Sequence, residues 1–349
     1  MAFDMNKIGV KQNIPRVNFN EYTGIIVCPP KFGKTTMASL FPKAIIVPFE
    51  KGFNAQVVNY VDGMNSWEDF IGFVDKLEKN RKDIGDELLT LVLDTANEAY
   101  EMCLPYMLKK EGLKAGQKYT SLADMPFGSG YAKLDQYFKT QIDRIQKLGF
   151  SILFISHSKV KNIKPKNGEA YDTYSSTMPD RLERLVYPLV DYIIFGEKRK
   201  VVDTALGTSS MKRAMIVTGA NDDTQAGGRV ALKGDIVFDT EEEAVALFQK
   251  HFEDAIEEKI RKAGITKSMA DISKEQKTEK ELEVDNYIKT QSEPTKEEML
   301  EEIKALFPKA KDEAKIAMQK FMADNNVAGL GNPEAVDIEV VKTIRDILA

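Results

Sequence analysis

Four short apolar runs, GIIVC, AIIVPF, LLTLVLD and FSILFIS, alternate with KTTMASLF, SWEDFIGFVDKLEKN and YAKLDQYFKTQIDRIQKL, in which apolar residues recur at helical spacing. Strand-length runs separated by amphipathic helices predict a mostly parallel sheet covered by helices, an α/β domain. VDYIIFGE and MKRAMIVTG then follow one another with no long helix between, which predicts that the sheet ends in an antiparallel extension. From Asp239, DTEEEAVALFQKHFEDAIEEKIRKAG reads as one long acidic amphipathic helix. Residues 265–293 are polar and weakly periodic and read as a linker. After Pro294 periodicity returns in three short helices, TKEEMLEEIKALF, KDEAKIAMQKFMADN and PEAVDIEVVKTIRDIL, the first with Thr295 and Glu298 at capping-box spacing and the last two around an NVAGLGN turn. The expected organisation is an α/β domain over 1–264, a polar linker over 265–293 and a small helical module over 294–349.

Charge divides the chain in the same place. Residues 1–238 hold 32 Lys+Arg against 28 Asp+Glu, a balance of +4, whereas residues 239–349 hold 17 against 26, a balance of −9. A mildly basic core with an acidic tail suits a nucleic-acid enzyme whose tail competes with the polyanion or recruits a partner; ordinary solvated acidic helices give the same numbers. No run of about 18 apolar residues occurs, and MAFDMNKIGV lacks a signal-peptide core, so a cytoplasmic protein with no membrane segment is expected. Cys28 and Cys103 are far apart and His157 and His251 are the only histidines, which fits a reducing compartment and argues against a His- or Cys-based metal site.

The chemistry concentrates at strand ends. CPPKFGKTT, residues 28–36, follows an apolar run and precedes a helix, and it fits the phosphate-binding spacing G-x-x-x-x-G-K-[ST] except that Cys28 stands for the first glycine. Pro29 and Pro30 have no N–H, so a phosphate cradle would come from the amides of Lys31, Phe32, Gly33, Lys34, Thr35 and Thr36, with the Lys34 ammonium on the outer oxygens and the Thr35 hydroxyl on Mg²⁺. The plain alternative is a Gly/Pro turn with surface lysines. Asp94 ends LLTLVLD, where a buried strand would deliver a carboxylate to the metal's water shell. Glu50 sits at the tip of AIIVPFE, on the side of a parallel sheet that faces ligand, and would orient an attacking water as in RecA-like ATPases, unless it is a solvated loop residue beside Lys51. Ser156 and His157 end FSILFISH, where a polar side chain can touch the outer phosphate and report its presence, or can simply be a structural hydrogen-bonder. Beyond them, Lys159, Lys161, Lys164, Lys166, Tyr171 and Tyr174 combine phosphate-neutralising cations with stacking rings, which suits single-stranded DNA, or they form a flexible solvated loop. A second lysine-rich stretch, MLKKEGLKAGQKYTS, admits the same two readings.

Taken together, PPKFGKTTMASLFPKAIIVPFEKG, LVLDT, DMPFGSGYAKLDQYF, FISHSK and the late AGGR with Arg229 make residues 20–240 resemble the RecA-like ATPases of bacteriophages, particularly the RecA-like branch of the Sak single-strand annealing proteins. The resemblance implies a RecA-like P-loop NTPase fold with ATP and Mg²⁺ held by Lys34 and Thr35. It also implies Glu50 activating water, Asp94 holding the metal, and His157 in the place of the glutamine usual in RecA. It implies as well a site completed by a basic residue of a neighbouring subunit, for which Lys198, Arg199, Lys200 and Arg213 are candidates. Cys28 departs from the family's loop glycine, and residues beyond 240 lie outside the resemblance. The expected function is ATP-dependent single-stranded-DNA binding for recombination, strand annealing or pairing, by a ring or filament of this chain. A helicase or helicase loader on the same fold, and a nucleotide-gated DNA-binding scaffold with little turnover, are the alternatives. The C-terminal module would recruit a single-strand-binding protein through apolar faces around Leu306, Phe321 and Ile344, unless those faces are its own core.

Overall fold

The computed structural model describes residues 8–348 apart from residues 11, 51, 53–55, 167, 204–207, 219–223, 293–295, 326, 328–329 and 331–335. Its strands are β1 (Gly24–Cys28), β2 (Ala44–Pro48), β3 (Thr90–Asp94), β4 (Ser151–Ile163), β5 (Tyr171–Ser176), β6 (Tyr192–Asp203), β7 (Thr208–Ile216), β8 (Gly227–Gly228) and β9 (Ile236–Phe238). The helices are α1 (Lys34–Ser39), α2 (Trp67–Lys79), α3 (Arg81–Ile84), α4 (Ala96–Ala115), α5 (Gly130–Lys147), α6 (Asp180–Val186), α7 (Glu241–Lys262), α8 (Met269–Ser292), α9 (Lys296–Leu306), α10 (Asp312–Asp324) and α11 (Ile338–Leu348).

The strands join in the order β2-β3-β4-β1-β6-β7-β9. Every pair from β2 to β6 is parallel, and β6–β7 and β7–β9 are antiparallel. This is an α/β fold whose mostly parallel sheet ends in the antiparallel extension expected from the sequence. β1 and β3 are buried at every position because both faces of a parallel sheet are covered. On one face Ile26, Ile46, Val92, Ile155 and Ile194 pack with Met37 and Phe41 of the α1 region and with Phe248, Phe252 and Ile256 of α7. On the other, α2, α4 and α5 lie together, with the Trp67 and Phe138 rings stacked at 5.7 Å. Parallel strands wound this way bring their C-terminal ends, the tips at Cys28, Pro48, Asp94 and Ile155, to one edge of the sheet.

Three segments differ from the sequence reading. The stretch after His157 is not a loop: β4 runs on to Ile163 and returns as β5, a hairpin in register from Ser158↔Ser176 to Ile163↔Tyr171. The second lysine-rich stretch is for the most part the last turns of α4. Residues 265–293, expected as a linker, contain the 24-residue helix α8. Its buried positions Ile272, Gln276 and Val284, with half-buried Lys280 between the last two, recur every fourth residue and form one stripe. The Gln276 amide holds three backbone groups of the N-terminal segment: its Oε1 accepts from Val17 N at 3.0 Å, and its Nε2 donates to Pro15 O at 2.9 Å and Ile14 O at 3.4 Å. Gly149 has a left-handed backbone (φ 80°) that favours glycine, and a Cβ there would lie 2.9 Å from Lys280 Cε and 3.0 Å from Val284 Cγ2, so the helix passes close by.

The chain divides into compact units at 284/285, inside α8. The C-terminal unit has its own core of Met299, Leu300, Ile303, Met318, Val336, Val341, Ile344 and Leu348, on which Leu306 and Phe321 also pack. The three residues expected to offer partner-binding faces therefore serve that core; Ile316 and Ile338 are exposed apolar residues on these helices. Thr295 of the expected capping box and much of the NVAGLGN turn lie outside the described residues.

Candidate functional site

The phosphate-loop sequence folds as its spacing predicts: β1 ends at Cys28, Gly33 takes the left-handed conformation (φ 101°) as the residue preceding α1, and Lys31 is also left-handed (φ 59°). Alternation of left- and right-handed residues curls consecutive amides into a concavity suited to an anion. Cys28, the departure from the motif, is a fully buried strand residue. Its Sγ occupies space that a Cβ on Gly196 of the neighbouring strand would invade at 2.3 Å, and the same Cβ would meet the Phe32 ring at 2.6 Å. The glycine missing at 28 is thus matched by one at 196, and the loop keeps its path. Burial pushes the Cys28 thiol up to about 12, so it stays protonated and unreactive.

Lys34 is buried, with 7% of its surface exposed, and its ammonium has three donors and three acceptors: Cys28 O at 3.3 Å, Pro29 O at 3.1 Å and His157 Nδ1 at 3.1 Å. Burial lowers its pKa, and the negative groups around it, Asp94 and Glu50 among them, oppose that shift. Because an ammonium can only donate, Nδ1 of His157 accepts and the ring's other nitrogen faces Glu50, whose Oε2 is 3.5 Å from Nε2. Glu50 is placed by the turn after β2, where Phe49 N and Glu50 N both donate to Asp94 O at 2.7 and 3.0 Å. Thr35 Oγ1 donates to Asp94 Oδ2 at 2.7 Å. Burial raises the Asp94 pKa and Glu50 adds to the rise, while the Thr35 hydroxyl, Lys34 and His157 pull it back.

Lys31, Phe32, Gly33, Lys34, Thr35, Glu50, Asp94 and His157 line one cavity of about 320 Å³ together with Pro30, Gly52 and Gln56. Thr36 stands behind it, its Oγ1 accepting from Gln56 Nε2 at 3.0 Å. Gln56 carries no motif and is invisible in the sequence, yet its buried Oε1 has no hydrogen-bond partner among the described residues. An unsatisfied acceptor beside a hydroxyl, a carboxylate and an ammonium suits a hydrated cation with a phosphate chain, so the residues present fit the phosphates of a nucleotide with Mg²⁺. No cluster of three or more His, Cys, Asp or Glu among the described residues could hold a metal by itself. A larger cavity of about 740 Å³ near the end of α4, lined by Leu108, Leu113 and Tyr119 together with Lys109, Lys118 and Thr120 among others, has no carboxylate in its lining.

The candidate DNA-binding residues fall on the hairpin and its turn. Lys159 and Lys161 pair with Ser175 and Thr173 on one face, shared with Tyr171, and Val160 pairs with Tyr174 on the other. Lys164 and Lys166 are exposed at the turn, and Lys161 Nζ is 3.8 Å from Asp180. Of the basic residues considered for a neighbouring subunit's site, Arg199 is paired with Glu197 and Asp235 in its own chain and Arg213 with Glu241. Lys198 and Lys200 are exposed on the face of β6 opposite Arg199. Arg229, from the AGGR stretch, pairs with Asp191 and donates to Pro188 O. No helix among the described residues is long and apolar enough to cross a membrane.

The curated SPbeta prophage-derived uncharacterized protein YorG of Bacillus subtilis (strain 168) is 26% identical over 165 residues, 46% of this chain and 44% of that protein, so the chain spans less than half of that relative's length. Among solved structures, the RadB recombinase aligns over 64% of this chain and 89% of its own at 12% identity and a TM-score of 0.33. A KaiC-like protein of the hyperthermophilic archaeon Pyrococcus horikoshii OT3 aligns over 65% and 92% at 11% identity and a TM-score of 0.34. The family model described as an AAA domain matches residues 20–230, from just before β1 to just beyond β8 and so across the whole phosphate-loop site, and with more than half of its length inside that match this chain belongs to the AAA domain family.

Proposed function

We propose that this chain is an ATP-dependent, single-stranded-DNA-binding recombination protein of phage type, which anneals or pairs strands as a RecA-like oligomer. The observation that carries the reading is the double membership of His157. Its ring bridges Lys34 and Glu50 in the cavity, and the residues that follow it on the same strand are the lysine- and tyrosine-bearing hairpin. The hairpin's return is tied to the same residue, since Thr177 N donates to His157 O at 2.8 Å. A side chain that changes partner when the outer phosphate is present would therefore act on the DNA-binding element with no intervening segment.

In this reading Lys34 would give up its two carbonyls and His157 for outer phosphate oxygens, and Thr35 and Asp94 would hold Mg²⁺. Bound Mg²⁺ supplies neutralisation of the phosphate charge. Glu50 orients the attacking water and takes its proton. Lys198 or Lys200 reaches the site of the next subunit, because Arg199 and Arg213 are both engaged within their own chain. The prophage origin of the YorG relative accords with a phage protein.

The deciding measurement is the ATPase rate of the full chain with and without single-stranded DNA, alongside its oligomer size. Several-fold stimulation by DNA together with an assembled species is the expected result. ATP turnover indifferent to DNA would remove the recombination reading, and unwinding of a forked duplex would replace it by a helicase.

A further inference from the structure

We propose that Arg213 and Glu241 are positioning residues that brace the outer side of the phosphate loop and hold the Phe32–Gly33 peptide with its N–H toward the nucleotide. The inference rests on the nucleotide-binding reading above and assigns to Arg213 a role inside its own subunit.

Arg213 projects from β7, and its guanidinium makes four separate commitments. Nη1 donates to Phe32 O at 3.2 Å and to Glu241 Oε1, Nη2 donates to Asp239 O at 2.6 Å, and the cation lies 4.9 Å from the centroid of the Phe238 ring. Phe238 in turn meets the Phe32 ring edge-on at 6.0 Å, and Phe32 is 1% exposed. The Glu241 carboxylate rests on the loop itself, since a Cβ added at Gly33 would lie 2.4 Å from its Oε1. Side chain and carbonyl of Phe32 are thus both fixed from the side away from the cavity, and neither Arg213 nor Glu241 lines the cavity.

The consequence follows from peptide geometry. In a trans peptide the C=O and the following N–H point in opposite directions. Holding Phe32 O outward against Arg213 directs Gly33 N–H inward, where Gly33 forms part of the cavity wall. Without the brace this peptide is free to rotate about the left-handed Gly33, for which the opposite orientation costs little. Glu241 keeps the guanidinium in place and holds the loop from above. Its carboxyl pKa is lowered, chiefly by the hydrogen bond from Arg213, which favours the charged carboxylate.

The test is calorimetric titration of the full chain with ADP and Mg²⁺, together with urea unfolding and the kcat and KM for ATP. Arg213→Met should weaken ADP binding about tenfold and raise KM in parallel, with kcat kept within about threefold, the size expected for one charge-assisted hydrogen bond to the loop. Arg213→Lys keeps the charge but not the fork, and should keep the fold while weakening binding to an intermediate degree; it carries the test if the methionine variant does not fold. The exchanged pair Arg213→Glu with Glu241→Arg separates positioning from mere stability, because a carboxylate at position 213 cannot donate to a carbonyl. Unfolding should recover toward wild type while ADP affinity stays weak. Recovery of both, or wild-type affinity in Arg213→Met, would overturn the brace and leave the ATPase reading standing. Wild-type chain that binds no ADP would overturn the ATPase reading itself, and the brace with it.

Discussion

The parallel strands and the C-terminal wrap of β7, β9, α7 and α8 are made differently, although the first supply one side of the phosphate loop and β7 and α7 the other. The parallel strands put one polar group after another at their tips, Glu50, Asp94 and His157, each at the end of a largely apolar run. The wrap offers the loop Arg213 and Glu241, already paired with each other, and the apolar ring of Phe238. In the proposed function the first side changes partners when ligand arrives and the second prevents change. The difference shows that a binding loop is specified as much by what it cannot do as by what it touches.

Experiments on each region would break or sharpen that contrast. The largest effect should come from the parallel side: Lys34→Ala is expected to lower ATP binding or turnover by about a hundredfold or more, since the outer phosphates lose the buried loop cation. Glu50→Gln should keep nucleotide affinity within about threefold while hydrolysis falls by about a hundredfold; normal hydrolysis by this variant would send the search to another acid.

Next comes the wrap. Cutting the chain after Gly264 removes Ile272 and the Gln276 clamp, and should cost about 3–5 kcal/mol in urea unfolding from one buried isoleucine and several hydrogen bonds. Cutting after Ser292 keeps α8 and should change the stability of the ATPase unit by less than about 1 kcal/mol. Equal stability of the two truncated chains would mean that α8 is the linker its composition suggests.

Replacing Lys159, Lys161, Lys164 and Lys166 together by Ala should weaken single-strand binding and flatten its salt dependence by about 0.7 in log–log slope for each phosphate no longer neutralised, with basal ATPase retained. An unchanged slope would take the strand off the hairpin. A small effect should follow Cys28→Gly, which restores the motif but empties the space between Gly196 and Phe32. A destabilisation of about 1 kcal/mol is expected, with ADP affinity within about twofold of wild type. Tighter nucleotide binding in that variant would show that Cys28 restrains the loop after all. Gly196→Ala, from the other side of the same packing, should cost about 1–3 kcal/mol by overpacking.

What is legible in the sequence follows from how far each signal reaches along the chain. β1 to β4, the phosphate loop and the polar residues at strand tips are all local patterns, a handful of residues each, and the structure brings Lys34, Thr35, Glu50, Asp94 and His157 to one cavity. The hairpin reads as a loop because alternate positions in SKVKNI carry lysine where a half-buried strand usually shows apolar residues. Helix α8 is hidden because two members of its stripe are the polar residues Gln276, whose amide is occupied by backbone partners, and half-buried Lys280, so the helical period vanishes from any hydrophobicity count. Gln56 and the Arg213–Glu241 brace give no signal at all. They matter only through neighbours brought close by the sheet order, and a single sequence carries no trace of such pairs.

β4 has one more property, which is mechanical. It is a single uninterrupted strand from the centre of the sheet to the turn of the hairpin, and from His157 to Ile163 it spans about 20 Å at ~3.3 Å per residue. With its inner half clamped between β1 and β3 and its outer half paired only with β5, it is a cantilever whose fulcrum is the histidine. A tilt of about 5° at that fulcrum, less than the ordinary scatter of strand dihedrals, moves the far end by about 2 Å, enough to make or break a hydrogen bond there. Displacements too small to alter the packing of the core are thereby magnified at the turn that carries Lys164 and Lys166.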